Sequence, residues 1–142
     1  YESNILDLYS GIGSFGIECI SRGAKKVTFI EKNSEALKVL NTNLKKLKIQ
    51  NEALVFPIDI NSSLTRLENS EKFQIIFLDP PFAENTVVKV LEGIKKSNIF
   101  SEKHLIVIHR ESKSEDLLTN FFQILDKKKY GRSCIIFGIF LK

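Results

Sequence analysis

Two short stretches hold the residue types whose spacing could do chemistry. Asp7-Leu8-Tyr9-Ser10-Gly11-Ile12-Gly13-Ser14-Phe15-Gly16 runs from an apolar strand into a G-x-G-x-x-G loop, and Asp79-Pro80-Pro81-Phe82 follows a second apolar run. Glycine and proline are the strongest punctuators of backbone shape. Three of the seven glycines and two of the three prolines fall in these stretches. Two tailored loops on an otherwise regular scaffold are therefore expected. Glycines let the first loop turn tightly and approach a ligand closely. Glu31, one strand–helix unit later, could accept both hydroxyl hydrogens of a ribose. Gly11, Gly13, Gly16 and Glu31 thus suit a nucleoside cofactor, a geometry that dinucleotide-binding enzymes share.

The second loop suits a planar exocyclic amine awaiting methylation. Such a nitrogen is a poor nucleophile because its lone pair is delocalised into the ring. Asp79 can accept one of its hydrogens and the Pro80 carbonyl another, drawing it toward tetrahedral geometry. Pro80 and Pro81 stiffen the backbone so that this carbonyl points into the site. Phe82 can stack on the base. The Asp79 motif favours S-adenosylmethionine over a nicotinamide cofactor, because hydride transfer has no use for it. Asp7, inside the first strand, points the same way. Its carboxylate could receive the cofactor's amino group, directly or through water; the alternative is a surface acid or a helix-dipole partner. Asp59 could hold the adenine amino group or could cap the next helix.

These residues need a scaffold that gathers them, and the pattern alternates strand and helix. Strands are expected at Ile5–Tyr9, Val27–Ile30, Ala53–Phe56, Phe73–Leu78 and His104–His109. Helices are expected at Ser14–Arg22 with Gly23 as its cap, from Ser34 to Lys48, Asn61–Glu68, Asn85–Lys96 and Ser114–Phe122. Leu37, Leu40, Leu44 and Leu47 recur at helical spacing and predict a core stripe. Two β-rich runs around Tyr130-Gly131-Arg132-Ser133 predict a closing hairpin that adds an antiparallel edge. Alternating units imply a mostly parallel sheet with helices on both faces. Ligands of such sheets bind at the carboxyl ends of the strands. Tyr9, Glu31, Asp59, Asp79 and His109 all fall at or just past such ends. His109 could approach the substrate and Arg110 a phosphate, or both could be surface residues. His104, at the opposite end of its strand, reads as structural.

The 142 residues fit one domain spanning 1–142, and 43% hydrophobic content is enough for a core. The longest apolar runs fall far short of the roughly 20 residues of a membrane helix. Cys19 and Cys134 are isolated, which argues against a metal site and for reduced core thiols in a cytoplasmic protein. The net charge of +4 permits a polyanionic partner. Basic residues cluster at Lys25-Lys26, Lys45-Lys46 with Lys48, Lys95-Lys96, and Lys127-Lys128-Lys129 with Arg132. The last cluster flanks the expected turn. The chain has no methionine and its first strand begins almost at once, so an N-terminal segment is expected to be missing.

The run from Asp7 to Gly16, with Glu31, Asp59 and Asp79-Pro80-Pro81-Phe82, resembles the class I S-adenosylmethionine-dependent methyltransferases. More narrowly, the chain resembles the RsmD family, which methylates N2 of a guanine in 16S ribosomal RNA. That match rests on Leu6-Asp7, Ser21-Arg22-Gly23-Ala24, Phe29-Ile30-Glu31, Ile76 through Phe82, and Lys128-Lys129-Tyr130-Gly131-Arg132-Ser133. It implies a Rossmann-like, seven-stranded sheet with a C-terminal antiparallel hairpin. It also implies S-adenosylmethionine as cofactor without a metal, and a small ribosomal subunit or its assembly intermediate as partner of a monomer. Asp7, Tyr9, Gly11, Gly13, Gly16, Glu31 and Asp59 would serve the cofactor; Asp79 through Phe82 would hold the guanine. Family members begin with a basic, arginine-containing segment, which is the segment expected to be missing here, and Tyr9-Ser10 replaces their usual Phe-Ala. The same [DN]-P-P-[YF] chemistry serves DNA adenine-N6 and cytosine-N4 methyltransferases, and a non-catalytic RNA-binding module could keep the fold.

Overall fold

The computed structural model describes residues 1–81, 86–113 and 120–142. In chain order the elements are β1 (Asn4–Leu8), α1 (Ser14–Ser21), β2 (Lys26–Ile30), α2 (Ser34–Lys46), β3 (Ala53–Phe56), α3 (Ile60–Leu67), β4 (Phe73–Leu78), α4 (Val87–Ser97), β5 (Phe100–Glu111), β6 (Phe122–Tyr130) and β7 (Ser133–Phe140). Among the described residues they build a seven-stranded sheet in the order β3-β2-β1-β4-β5-β7-β6. The five strands β1 to β5 are parallel, and β7 runs antiparallel to both its neighbours. This is the doubly wound, Rossmann-like arrangement that the alternating pattern implies.

Side chains alternate across a strand, so each strand feeds two cores. Leu6 and Leu8 of β1, with Ile76, Leu78, Ile106 and Ile108, pack under Leu64, Leu67, Val90, Leu91 and Ile94 of α3 and α4. Ile5 on the other face joins Val27 and Phe29 beneath Leu40 and Leu44 of α2. Each such buried side chain contributes about 1.5–3 kcal/mol relative to exposure. Gly16 of α1 belongs to this packing: a Cβ there would sit 2.3 Å from the Phe29 ring.

Helix ends follow the expected chemistry with two corrections. Gly23 takes φ +96 after α1, and its N–H donates to the Ile20 carbonyl. The cap of α2 is Asn33 rather than Ser34. Asn33 keeps an extended backbone, and its Oδ1 accepts from the Ala36 N–H at 2.9 Å. In the leucine stripe Leu40 and Leu44 are buried and Leu37 is half-buried, but Leu47 has passed the last turn and lies exposed.

The C-terminal part departs further. Residues 114–119 of the expected Ser114–Phe122 helix lie outside the described residues, and Phe122 opens β6. The reason is steric: Gly138 of β7 leaves room for the Phe122 ring, which a Cβ would meet at 2.3 Å. β7 inserts between β5 and β6, so β6 forms the edge. β5 starts at Phe100, four residues before the expected His104, past an irregularity in its pairing with β4. His104 is structural, as its position implied: Nε2 accepts from the Phe140 N–H at 2.9 Å, and Nδ1 lies 2.9 Å from the Ser101 carbonyl.

Candidate active site

The sheet order sets the site. From β1 the chain moves outward through β2 and β3, then returns to place β4 on β1's other side. The loops after β1 and β4 therefore flank a topological switch point, where open α/β sheets bind ligands. A cavity of about 750 Å³ lies there, lined by Tyr9, Glu31, Asp59, Asp79, Pro80 and Pro81. Its wall is completed by residues the sequence motifs did not mark, among them Ile58, Ile60, Thr86, Lys89 and Val90. Phe82 lies outside the described residues. Asp7, Gly11, Gly13 and Gly16 do not line the cavity: Gly11 and Gly13 build the loop beside it, Asp7 lies in β1 and Gly16 in α1.

Gly13 caps α1 at φ +89, where a Cβ would also meet Leu40 at 2.3 Å, so the turn demands glycine. Glu31 links this loop to the next strand. Its Oε1 accepts from the Gly11 N–H and its Oε2 from the Asn33 N–H, both at 2.9 Å. Tyr9, just past the end of β1, has φ +58, a left-handed conformation that costs a non-glycine residue roughly 1–2 kcal/mol. Phe15 of α1 stacks on Phe77 of β4, ring centroids 3.9 Å apart, and ties the two loops together. No spacing signal marks that pair.

Asp7 sits beneath the loop and is 1% exposed. Its Oδ2 accepts from the Gly16 N–H at 3.2 Å. Burial pushes its carboxyl up to about 8; the nearby Asp79 and Glu31 carboxylates add to the rise, and the Gly16 bond opposes it. Asp59 performs the capping role: its Oδ1 accepts from the Ser62 N–H and its Oδ2 from the Ser62 hydroxyl, each at 2.9 Å. These bonds hold its carboxyl below the usual range. Carboxylate oxygens have two acceptor sites each, so this bonding leaves capacity toward the cavity. Asp79 meets His109, whose Nδ1 lies 2.8 Å from Asp79 Oδ1.

The residues fit a nucleoside-bearing group at one end. Glu31, Asp59, Ile58 and Ile60 place acceptors beside apolar surface, and open space above Gly11 leaves its backbone approachable. At the other end Asp79, Pro80 and Pro81 offer acceptors to a donor such as an amine. Among the described residues no three His, Cys, Asp or Glu side chains cluster to hold a metal ion. Likewise no described helix is long and apolar enough to cross a membrane.

The family model described as Conserved hypothetical protein 95 matches residues 1–139. The chain belongs to this family, the RsmD family. Ribosomal RNA small subunit methyltransferase D of Haemophilus influenzae is 32% identical over 132 residues, covering 92% of this chain and 68% of that protein. The chain spans about 60% of two further curated relatives at 32% and 35% identity. A solved structure of a candidate methylase from Haemophilus influenzae superposes at TM-score 0.86 with 30% identity, over 96% of this chain and 86% of that one. An SAH-bound methyltransferase of Podospora anserina shares the fold at TM-score 0.67 and 16% identity, over 75% of this chain and 45% of that one. This RsmD-family chain thus has the Rossmann-like class I methyltransferase fold.

Proposed function

We propose that this RsmD-family protein transfers a methyl group from S-adenosylmethionine to the exocyclic N2 amine of a guanine in small-subunit (16S) ribosomal RNA. The observation that carries the reading is one cavity with Glu31 at one end and Asp79-Pro80-Pro81 at the other, in a chain related to named ribosomal RNA methyltransferases. Bound S-adenosylmethionine supplies an electrophilic methyl group; the protein supplies position. Glu31 would hold the ribose, and the glycine loop would give close approach. Asp59 would reach the adenine amino group and Asp7 would serve the amino end through the loop. Asp79 and the Pro80 carbonyl accept hydrogens from the guanine amine, which frees its lone pair. The lone pair would form the N–C bond as the methyl group's bond to the cofactor sulfur breaks, leaving S-adenosylhomocysteine, and one amine proton would pass to Asp79. In this reading the protein works in the cytoplasm as a monomer.

Glu31→Ala is expected to weaken S-adenosylhomocysteine binding by about 1.5–3 kcal/mol, the value of a hydrogen bond to a charged group. Calorimetric titration measures it, and an unchanged Kd would remove Glu31 from the site.

Strand register supports an RNA surface on the basic edge strand. Ile135 pairs with His109 on one side and Lys128 on the other, so one row leads from the site to the basic edge strand. Lys128 and Tyr130 lie exposed on that face. RNA affinity is expected to fall steeply with salt, because phosphate contacts release counterions. Lys128→Ala should lower the slope of log K against log salt by about one contact. A flat salt response of the parent protein would exclude this surface.

The deciding experiment offers radiolabelled S-adenosylmethionine with unmethylated small subunits, free 16S RNA and DNA, followed by nucleoside identification. N2-methylguanine in RNA is expected. Methylated adenine or cytosine in DNA would replace the reading with the DNA amine alternative.

A further inference from the structure

The sequence motifs leave the partner of Asp79 unstated, and the structure supplies it. β4 and β5 are parallel neighbours with Leu78 opposite Ile108, so Asp79 and His109 follow side by side at the carboxyl end of the sheet. Both lie on the same face, opposite the buried Leu78 and Ile108. His109 Nδ1 is 2.8 Å from Asp79 Oδ1, and both residues line the cavity. A carboxylate oxygen accepts, so Nδ1 carries the hydrogen in this pair.

The consequence is geometric. The Asp79 side chain is 43% exposed, against 25% for His109. A half-exposed carboxylate at a strand end would otherwise turn freely about its terminal torsion, which is broad for aspartate. His109 occupies one oxygen and stops that turn, leaving Oδ2 for the amine. We propose that His109 is the positioning residue of this site, holding Asp79 in the orientation that accepts the amine hydrogen. The inference rests on the methyltransferase reading above. His109 neither gives nor takes a proton in it: the amine's proton goes to Asp79 Oδ2, and the Nδ1 hydrogen stays on the imidazole.

Two variants test it in the full chain, with methyl transfer to the substrate that the parent protein accepts. His109→Ala removes the donor and is expected to lower kcat by roughly 10- to 100-fold, the cost of a misplaced reacting group. KM for RNA and Kd for S-adenosylhomocysteine should stay near parent values. His109→Asn puts an amide N–H close to the position of Nδ1 and should restore kcat to within a few-fold. Parent-like kcat in His109→Ala would overturn the inference, as would equal losses in both folded variants. A rise in KM at constant kcat would also overturn it, since His109 would then be an RNA contact. Nitrogen NMR of His109 adds a readout that needs no turnover: Nδ1 protonation that responds to Asp79→Ala is expected, and the opposite tautomer would refute the pairing. A parent protein that binds the cofactor but methylates nothing brings down the functional reading and this inference with it. An active parent with an indifferent His109→Ala brings down the inference alone.

Discussion

Replacing Asp79 with Ala is expected to lower methyl transfer by about 10²- to 10³-fold, a loss of the size seen when one preorganised hydrogen-bonding group leaves an active site. The residue follows β4 with Oδ1 engaged by His109, which in the proposed reaction leaves Oδ2 for the amine. In the proposed reaction the guanine nitrogen would then keep only the Pro80 carbonyl as acceptor, and its lone pair would stay delocalised in the ring. The cofactor end rests on β1 and β2, where Glu31 and Gly11 are bonded to each other. Cofactor affinity should therefore remain within a few-fold of the parent value. Single-turnover methyl transfer and calorimetric binding separate the two. Loss of both together with a lower melting temperature would indicate misfolding, and retained turnover would remove Asp79 from the chemistry.

The second large effect concerns stability and pH. Asp7 is buried under the glycine loop, and burial raises its carboxyl from 3.8 to about 8. The folded protein thus holds this proton more tightly than the unfolded chain does. The stabilisation from the protonated form is complete below the unfolded value and is lost as pH rises toward 8. Between those limits one proton separates the two states, which gives a slope of about −1.4 kcal/mol per pH unit. Asp7→Asn keeps an acceptor for the Gly16 N–H and removes the charge. Denaturant unfolding from about pH 4 to pH 8 should therefore show the parent losing stability relative to Asp7→Asn, with the gap widening upward in pH. Any fixed cost of burying the amide shifts the Asn curve without changing its slope. Parallel curves would show that Asp7 carries its charge in the folded state throughout.

Much of the candidate site's local geometry was legible in the sequence. Gly11, Gly13 and Glu31 belong to one strand–helix–strand unit, and the backbone demands of that unit are local. Gly13 shows this well: its left-handed φ at a helix start is a requirement that a single residue type advertises. Asp79-Pro80-Pro81 is similarly local, since the prolines restrict the very peptide that presents the acceptor. Asp59 illustrates an ambiguity that sequence leaves open. An aspartate before a helix suits capping and ligand binding alike, and here the Asp59 carboxylate takes the capping role by accepting from the Ser62 N–H and hydroxyl. Phe122, the expected end of a C-terminal helix, instead opens β6, because that depends on the room Gly138 leaves on a partner strand distant in sequence.

By itself the sequence determined the alternation of strand and helix, the two chemically equipped loops and the strand ends that bear acids. These follow from torsional preferences and hydrophobic period within short windows. Only the tertiary structure decided that β7 would insert between β5 and β6 and that Phe15 would stack on Phe77. It alone set His109 against Asp79. Each of those depends on register between segments far apart in the chain. A shift of one residue in the β4–β5 pairing would send His109 to the opposite face of the sheet.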